Sequence, residues 1–234
     1  MELTIVGEKG TESLCFTVQR MINGGFTGRD SASVQAHIAE LAAEGVAPPP
    51  AVPVLYPVVR HNLTTGDQVQ VAGKRTSGEA EYVLFLDEEE VYVSVGSDHT
   101  DRALEAYGVL ESKQVCLNVC SKQAWRFGDV DDRWDELVLR SWVTPSVGAD
   151  EVLYQDGVLG ALLPPDDLIM RVLSAPGVSD RDGLVIFGGT IPLIAGETIC
   201  GSAFRCELED PLSGRKLESR YDVTVLEDPN AIKG

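Results

Sequence analysis

Residues 78–98 read GEAEYVLFLDEEEVYVSVGSD. Two apolar runs rich in β-forming residues flank a polar turn, and this pattern predicts an antiparallel hairpin. With residues 88–89 at the tip, Glu79 pairs with Asp98 across the two strands. Because strand side chains alternate between faces, Glu81 shares a face with Glu79 and Asp98. The hairpin is therefore expected to bring three carboxylates together at one end.

Such a cluster is unfavourable alone, because like charges a few ångströms apart cost on the order of several kcal/mol at a protein-like dielectric. A divalent cation compensates them, and Mg²⁺ or Mn²⁺ prefers carboxylate oxygens. The alternative is that Glu79 and Glu81 are solvent-facing strand ends and that Asp98 caps a helix beginning near Thr100. A one-residue slip of the hairpin would also separate the three acids, so the residues alone leave both interpretations open.

The rest of the chain predicts an α+β protein that is mainly β. A helix capped by Asp30 or Ser31 ends at Gly45, and a proline-rich connector follows it. This connector divides the chain into residues 1–53, an N-terminal strand and helix forming a candidate lid, and residues 54–234, the main body. Short strands of irregular spacing favour a mostly antiparallel body with peripheral helices over a doubly wound sheet.

Three further segments of the body are predicted to be helical: residues 101–110, residues 134–142, and a segment that begins after Pro164 and Pro165. Residues 210–214 are predicted to form the loop of a C-terminal hairpin.

Charge and composition exclude several classes of protein. The chain has 37 acidic and 19 basic residues, a formal charge of −18, which repels nucleic acids and anionic lipid surfaces. No stretch approaches the roughly 20 apolar residues of a membrane span, and the N-terminus lacks a signal-peptide pattern. We therefore expect a cytoplasmic protein with a small-molecule substrate, without nucleic-acid or membrane partners, and with its five cysteines reduced.

Four motifs resemble those of the fumarylacetoacetate hydrolase family. Glu79-Ala80-Glu81 is similar to the family's ExE strand, and the segment from Asp98 to Arg102 is similar to its Asp-x-Ser-x-Arg segment, with Thr100 in place of serine. Lys113 stands where the family has a lysine near the substrate. Gly189-Thr190 resembles the family's late Gly-Thr-Pro loop, and the order and approximate spacing of all four motifs agree.

A fifth resemblance lies in the N-terminal helix. His37 and Glu40 match the His-x-x-Glu pair with which hydrolytic members of the family activate water, and residues three apart on a helix are neighbours. The alternative is an incidental pair on an exposed helix face. Two departures indicate a divergent branch: the interval from Glu81 to Asp98 is short for the family, and Ile191 separates Thr190 from the proline.

The resemblance implies a mixed β-sandwich roll with short flanking helices, usually a homodimer. It also implies an ion, Mg²⁺ or Mn²⁺, held by Glu79, Glu81 and Asp98. The remaining site residues would be catalytic (His37, Glu40 and Lys113) or substrate-binding (Arg102, Gly189, Thr190 and His99).

The implied activity is metal-dependent hydrolysis of a C–C bond in a 2-oxo acid or β-dicarbonyl compound through an enolate. Decarboxylation, hydration or isomerisation by the same chemistry is an alternative. Two non-catalytic alternatives also stand: a module that binds a metal or small ligand on the same scaffold, and a structural protein whose acidic cluster binds nothing.

Overall fold

The computed structural model describes residues 1–8, 10–43, 48–178 and 180–227, without the side chains of residues 37, 40, 41 and 43. The strands are β1 Glu2–Gly7, β2 Gly10–Cys15, β3 Arg20–Gly25, β4 Val54–Val58, β5 Leu63–Thr64, β6 Gln68–Val71, β7 Thr76–Ser77, β8 Ala80–Leu86, β9 Val91–Asp98, β10 Thr100–Asp101, β11 Asn118–Cys120, β12 Gln123–Arg126, β13 Val138–Thr144, β14 Val152–Val158, β15 Leu184–Thr190, β16 Ala203–Glu209 and β17 Lys216–Val225. The α-helices are α1 Ser31–Ala43, α2 Arg102–Glu105, α3 Val109–Gln114 and α4 Pro165–Leu173.

Two larger sheets contain most of these strands. The first has the order β2-β1-β12-β9-β8-β15-β3-β4, with β11 and β5 attached beside β9, and the second has the order β14-β13-β16-β17-β6. Most neighbours are antiparallel, and the described parallel pairs are β1 with β12, β3 with β15, β5 with β11 and β6 with β17. The predicted mainly β, α+β class is confirmed.

Strands β8 and β9 form the centre of the larger sheet because their apolar residues face a core on each side. Leu84 and Val93 point into a core shared with the second sheet, whereas Val83 and Phe85 point into a core on the opposite face. This two-sided burial explains the almost continuous apolar run of the hairpin.

The N-terminal strands belong to the main sheet. Strand β1 lies beside β12 and β3 lies between β15 and β4, so a division at residue 53 does not separate two sheets. Helix α1 begins as predicted, because the Asp30 carboxylate accepts hydrogen bonds from the Ala32 and Ser33 amides at 3.2 and 3.3 Å. The predicted lid role of this segment stays a prediction.

Of the three helix predictions for the main body, one is wrong, one is confirmed in part and one is confirmed. Residues 134–142 are not an α-helix: a 3-10 turn at Asp131–Glu136 leads into β13, where Leu139 and Val143 alternate into the core. The span 101–110 is helical only in α2 and the start of α3, whereas α4 follows its two prolines as predicted. No helix within the described ranges is long and apolar enough to cross a membrane; the cytoplasmic location and the homodimer stay predictions.

Candidate metal centre

The hairpin register agrees with the sequence prediction. Ala80 pairs with Ser97 and Glu81 with Gly96, and the Asp98 amide donates to the Glu79 carbonyl at 3.1 Å. A carboxylate oxygen of each of Glu79, Glu81 and Asp98 lies within 4.8 Å of the other two. The structure thus brings the three predicted metal ligands to one point, at the end of the two central strands.

Burial makes this cluster electrostatically demanding. Glu81 and Asp98 are 3% and 0% exposed. Burial, and then the nearby Asp98 carboxylate, raise the pKa of Glu81 well above its usual range. Without a cation beside it, the Glu81 carboxyl group therefore favours its protonated form.

Two cations partly neutralise the three acids. The Lys113 ammonium donates a hydrogen bond to Asp98, and Arg102 contacts Glu79 at 3.1 Å. Burial opposes the charge of Lys113, but the carboxylates outweigh it and raise the lysine pKa. Among the described ion pairs none involves Glu81, so two positive charges stand against three potential negative ones.

The late glycine loop holds Glu81 in place. The Gly189 amide donates to the Glu81 carboxylate at 2.8 Å, and the Thr190 hydroxyl donates to the Ala80 carbonyl at 2.8 Å. Gly189 has a φ of 99°, a left-handed conformation that favours glycine. The predicted loop thus adjoins the cluster, but these two donors contact the protein itself, and their predicted role in substrate binding stays a prediction.

Arg102 and His99 differ in their relation to the cluster. The Arg102 guanidinium contacts Glu79 and Glu105 and donates to the Ser77 hydroxyl at 2.7 Å, so it buttresses one predicted ligand. His99 is buried, and its Nδ1 lies 2.9 Å from the Tyr221 hydroxyl.

Tyr221 belongs to the core between the two sheets, on the face opposite the acids. Burial, and then Arg102, lower the pKa of His99 to about 4. The structure therefore separates His99 from the metal face, and its predicted contact with substrate stays a prediction.

The catalytic pair predicted in the N-terminal helix lies on α1, but the side chains of His37 and Glu40 are outside the described residues.

Two buried asparagines were not singled out by the sequence analysis. Asn118 of β11 lies directly opposite Asp98 in the sheet, and Asn23 of β3 lies opposite Tyr56 of β4. Both asparagines are buried, and their amide atoms have no hydrogen-bond partner within the described chain.

The donor set fits a hard divalent cation. It offers three carboxylate oxygens that converge on one point, and the buried Oδ1 of Asp98 has no hydrogen-bond partner among the described residues. Oxygen-only ligands of this kind suit Mg²⁺ or Mn²⁺ better than zinc, which prefers nitrogen and sulfur.

The fold and this cluster define a mainly β, α+β protein with a candidate metal centre. Residues 24–221 match the family described as protein of unknown function, DUF2848, and the chain belongs to that family. No curated protein gave a significant match.

Solved structures share the fold at low sequence identity. A structure of 2-keto-3-deoxy-D-arabinonate dehydratase complexed with magnesium and 2,5-dioxopentanoate is similar at a TM-score of 0.66 and 12% identity, over 95% of this chain and 79% of that one. A structure of Cg1458 is similar at a TM-score of 0.64 and 14% identity, over 93% of this chain and 81% of that one. At these identities the likeness establishes the fold.

Proposed function

We propose that this protein is a divalent-metal-dependent enzyme that acts on a small 2-oxo acid through an enolate. The observation that carries the proposal is the convergence of Glu79, Glu81 and Asp98 within 4.8 Å, with the Lys113 ammonium on Asp98. In a purely structural role, two buried acids and a half-buried one with fewer cations than acids would destabilise the fold. In a site that binds a cation and an anionic substrate, the acids serve the cation and the Lys113 ammonium serves the substrate.

Glu79, Glu81 and Asp98 would hold Mg²⁺ or Mn²⁺. When bound, such an ion supplies Lewis-acid polarisation of the carboxylate and keto oxygens of a 2-oxo acid, which acidifies the neighbouring carbon.

The chain's own residues prepare the site for charge development. Lys113 places a positive charge beside Asp98, where it stabilises negative charge that develops on a substrate oxygen. Arg102 and the Gly189 amide fix the orientation of Glu79 and Glu81, so neither carboxylate has to reorganise during the reaction.

For the outcome we favour elimination of a β-hydroxyl group, a lyase reaction in which a C–H proton and the hydroxyl leave together as water. Among the described histidines, His99 lies on the opposite face of the sheet, so it is not placed to activate water at the cluster. The likeness to a magnesium-bound dehydratase agrees with this choice.

Hydrolysis of a C–C bond is the second candidate. It is favoured by the spacing of His37 and Glu40, which α1 places three residues apart on one helix.

The test is metal-dependent exchange of the C3 hydrogens of 2-oxobutanoate for deuterium in D₂O, followed by NMR. Elimination begins with loss of a proton from this carbon, and C–C hydrolysis ends with protonation of the enolate at this carbon. Exchange therefore reports the enolate in either case, without knowledge of the natural substrate. We expect exchange with Mg²⁺ or Mn²⁺ and none with EDTA or in Glu81→Gln. Wild-type protein that catalyses no exchange with either ion would refute the proposal.

Substitution of His37 by alanine then separates the outcomes on a substrate that is turned over. Retained turnover supports the lyase, and loss of cleavage with retained deuterium exchange supports hydrolysis.

A further inference from the structure

Asn118 is a polar residue at a fully buried position beside a candidate metal ligand. It is 0% exposed and lies opposite Asp98 in the antiparallel pair of β11 and β9, where paired side chains have Cβ atoms about 4.5–5.5 Å apart. Cys120, two residues further on, packs with Val83 and Phe187 on the metal face of the sheet. By strand alternation the Asn118 amide projects from this same face.

The amide is left without a partner although one is near. Neither its nitrogen nor its oxygen has a hydrogen-bond partner within the described residues, and the same holds for Oδ1 of Asp98. The Asn118 amide nitrogen and Asp98 Oδ1 are thus a neighbouring donor and acceptor that do not bind each other. Both are available to a ligand. An unsatisfied buried polar group destabilises the folded protein. A ligand that hydrogen-bonds to both amide atoms removes this destabilisation.

Asn23 repeats this situation on the other side of the cluster. It is 1% exposed and its two amide atoms are also unpartnered among the described residues. It lies opposite Tyr56, whose ring centroid is 5.7 Å from the Lys113 Nζ atom. Lys113 also contacts Asp98. Because β11 adjoins β9 on one side and β3 follows β8 and β15 on the other, the two asparagines flank the strands that carry the acids.

Resting on the function proposed above, we propose that Asn23 and Asn118 select a hydroxylated 2-oxo acid by binding its hydroxyl groups. An amide offers a donor and an acceptor, and a hydroxyl group matches both. A second carboxylate on the substrate would accept a hydrogen bond from the amide nitrogen. It could not donate to the amide oxygen, because both groups are acceptors. An apolar acyl chain would leave all four amide atoms unsatisfied, which is the kind of mismatch that gives strong discrimination.

The test compares two acids that differ only in two hydroxyl groups, 2-oxopentanoate and 4,5-dihydroxy-2-oxopentanoate. Their affinities for the Mg²⁺-loaded protein are measured from the concentration that gives half of the maximal rise in thermal midpoint. We expect the dihydroxy acid to bind at least tenfold more tightly to wild type. Asn118→Leu and Asn23→Leu should each lower this preference, and the double variant should bring it to near one.

The ligand-free midpoint gives an independent readout. Because the amides lack partners among the described residues, leucine at either position should not lower this midpoint. Asn62→Leu removes an amide that donates to the Gln114 carbonyl at 2.8 Å, so it should lower the midpoint and keep the preference. Asn118→Ala and Asn23→Ala replace any leucine variant that fails to fold.

Equal binding of the two acids by wild type, or a preference that survives both substitutions, would overturn the assignment and leave the proposed function standing. Binding of Mg²⁺ without binding of either acid would refute the 2-oxo acid function and this inference together.

Discussion

The side-chain amide of Gln155 donates a hydrogen bond to the Thr190 hydroxyl at 2.7 Å. The same nitrogen donates to the Ile191 carbonyl at 2.7 Å, and the amide oxygen accepts from the Ala80 amide at 3.0 Å and from Ser141 at 2.7 Å. Gln155 is 0% exposed. The side chain of Gln155, in the second sheet, thus has partners for both its amide groups. It connects Ala80, which lies between the two candidate glutamate ligands, to the glycine loop.

Substitution of Gln155 by leucine should therefore destabilise the protein by about 2–4 kcal/mol, because it leaves buried donors and acceptors unpaired. It should also weaken Mg²⁺ binding, since Ala80 lies between Glu79 and Glu81. Chemical denaturation and metal titration measure the two effects. Gln123→Leu changes an exposed glutamine and serves as the control; equal behaviour of both variants would contradict the bridging role.

Glu81→Gln should have opposite effects with and without metal. Without metal the variant should be no less stable than wild type, because one of three crowded acids becomes neutral while its oxygen still accepts from Gly189. With Mg²⁺ at a hundredfold excess over its dissociation constant, wild type should gain about 2.7 kcal/mol and the variant should gain nothing. Scanning calorimetry with and without Mg²⁺ measures both effects.

Glu88→Gln, at the exposed tip of the same hairpin, should keep the full metal response. A metal response in Glu81→Gln equal to that of wild type would contradict the ligand assignment.

Lys113→Met should reduce turnover by roughly 10²–10³-fold, the usual loss when a group that stabilises developing negative charge is removed. Metal binding should be unchanged or tighter, because the ammonium no longer competes for Asp98. Deuterium exchange at C3 and Mg²⁺ titration report the two properties separately. The exposed Lys122 gives the matched control Lys122→Met, and weakened metal binding in Lys113→Met would show that the lysine positions the carboxylates instead.

Acid stability should depend on the C-terminal hairpin loop. Burial alone would raise the pKa of Asp210, but hydrogen bonds from Arg133 and Ser213 outweigh it and lower the pKa. A carboxyl whose folded-state pKa is lowered stabilises the fold above its unfolded value of about 4 and loses this effect as the pH falls. The thermal midpoint should therefore drop progressively as the pH is lowered below about 4.

Asp210→Asn should lose about 3 kcal/mol at pH 7, the usual cost of breaking a buried ion pair, and should show a weaker dependence on acid. Asp131→Asn changes an exposed aspartate and should retain the wild-type pH profile. An unchanged acid dependence in Asp210→Asn would contradict this explanation.

The hairpin could be predicted because the residues that determine it are close together in the sequence. Two apolar runs and a four-residue acidic turn define both the register and the shared face of Glu79, Glu81 and Asp98. The same alternation also places Ser97 and His99 on the opposite face, so the position of His99 was available from the sequence. The resemblance to a metal-binding motif drew the prediction away from that geometry.

The partners of this hairpin could not be predicted in the same way. Asn118 reaches Asp98 through pairing of β11 with β9, and Gln155 reaches Ala80 from another sheet. Each contact depends on the packing of distant segments. The helix prediction for residues 134–142 was wrong for a related reason: pairing with β14 and β16, which lie later in the sequence, imposes an extended strand.

All three candidate ligands come from a single hairpin, residues 79–98, whose strands pair with each other along their whole length. The site is thus assembled by contacts that are close in the chain and need little loop closure. Formation of this hairpin alone therefore sets which face carries all three carboxylates. The remaining strands and the glycine loop then fix the orientation of side chains that the hairpin has already brought together.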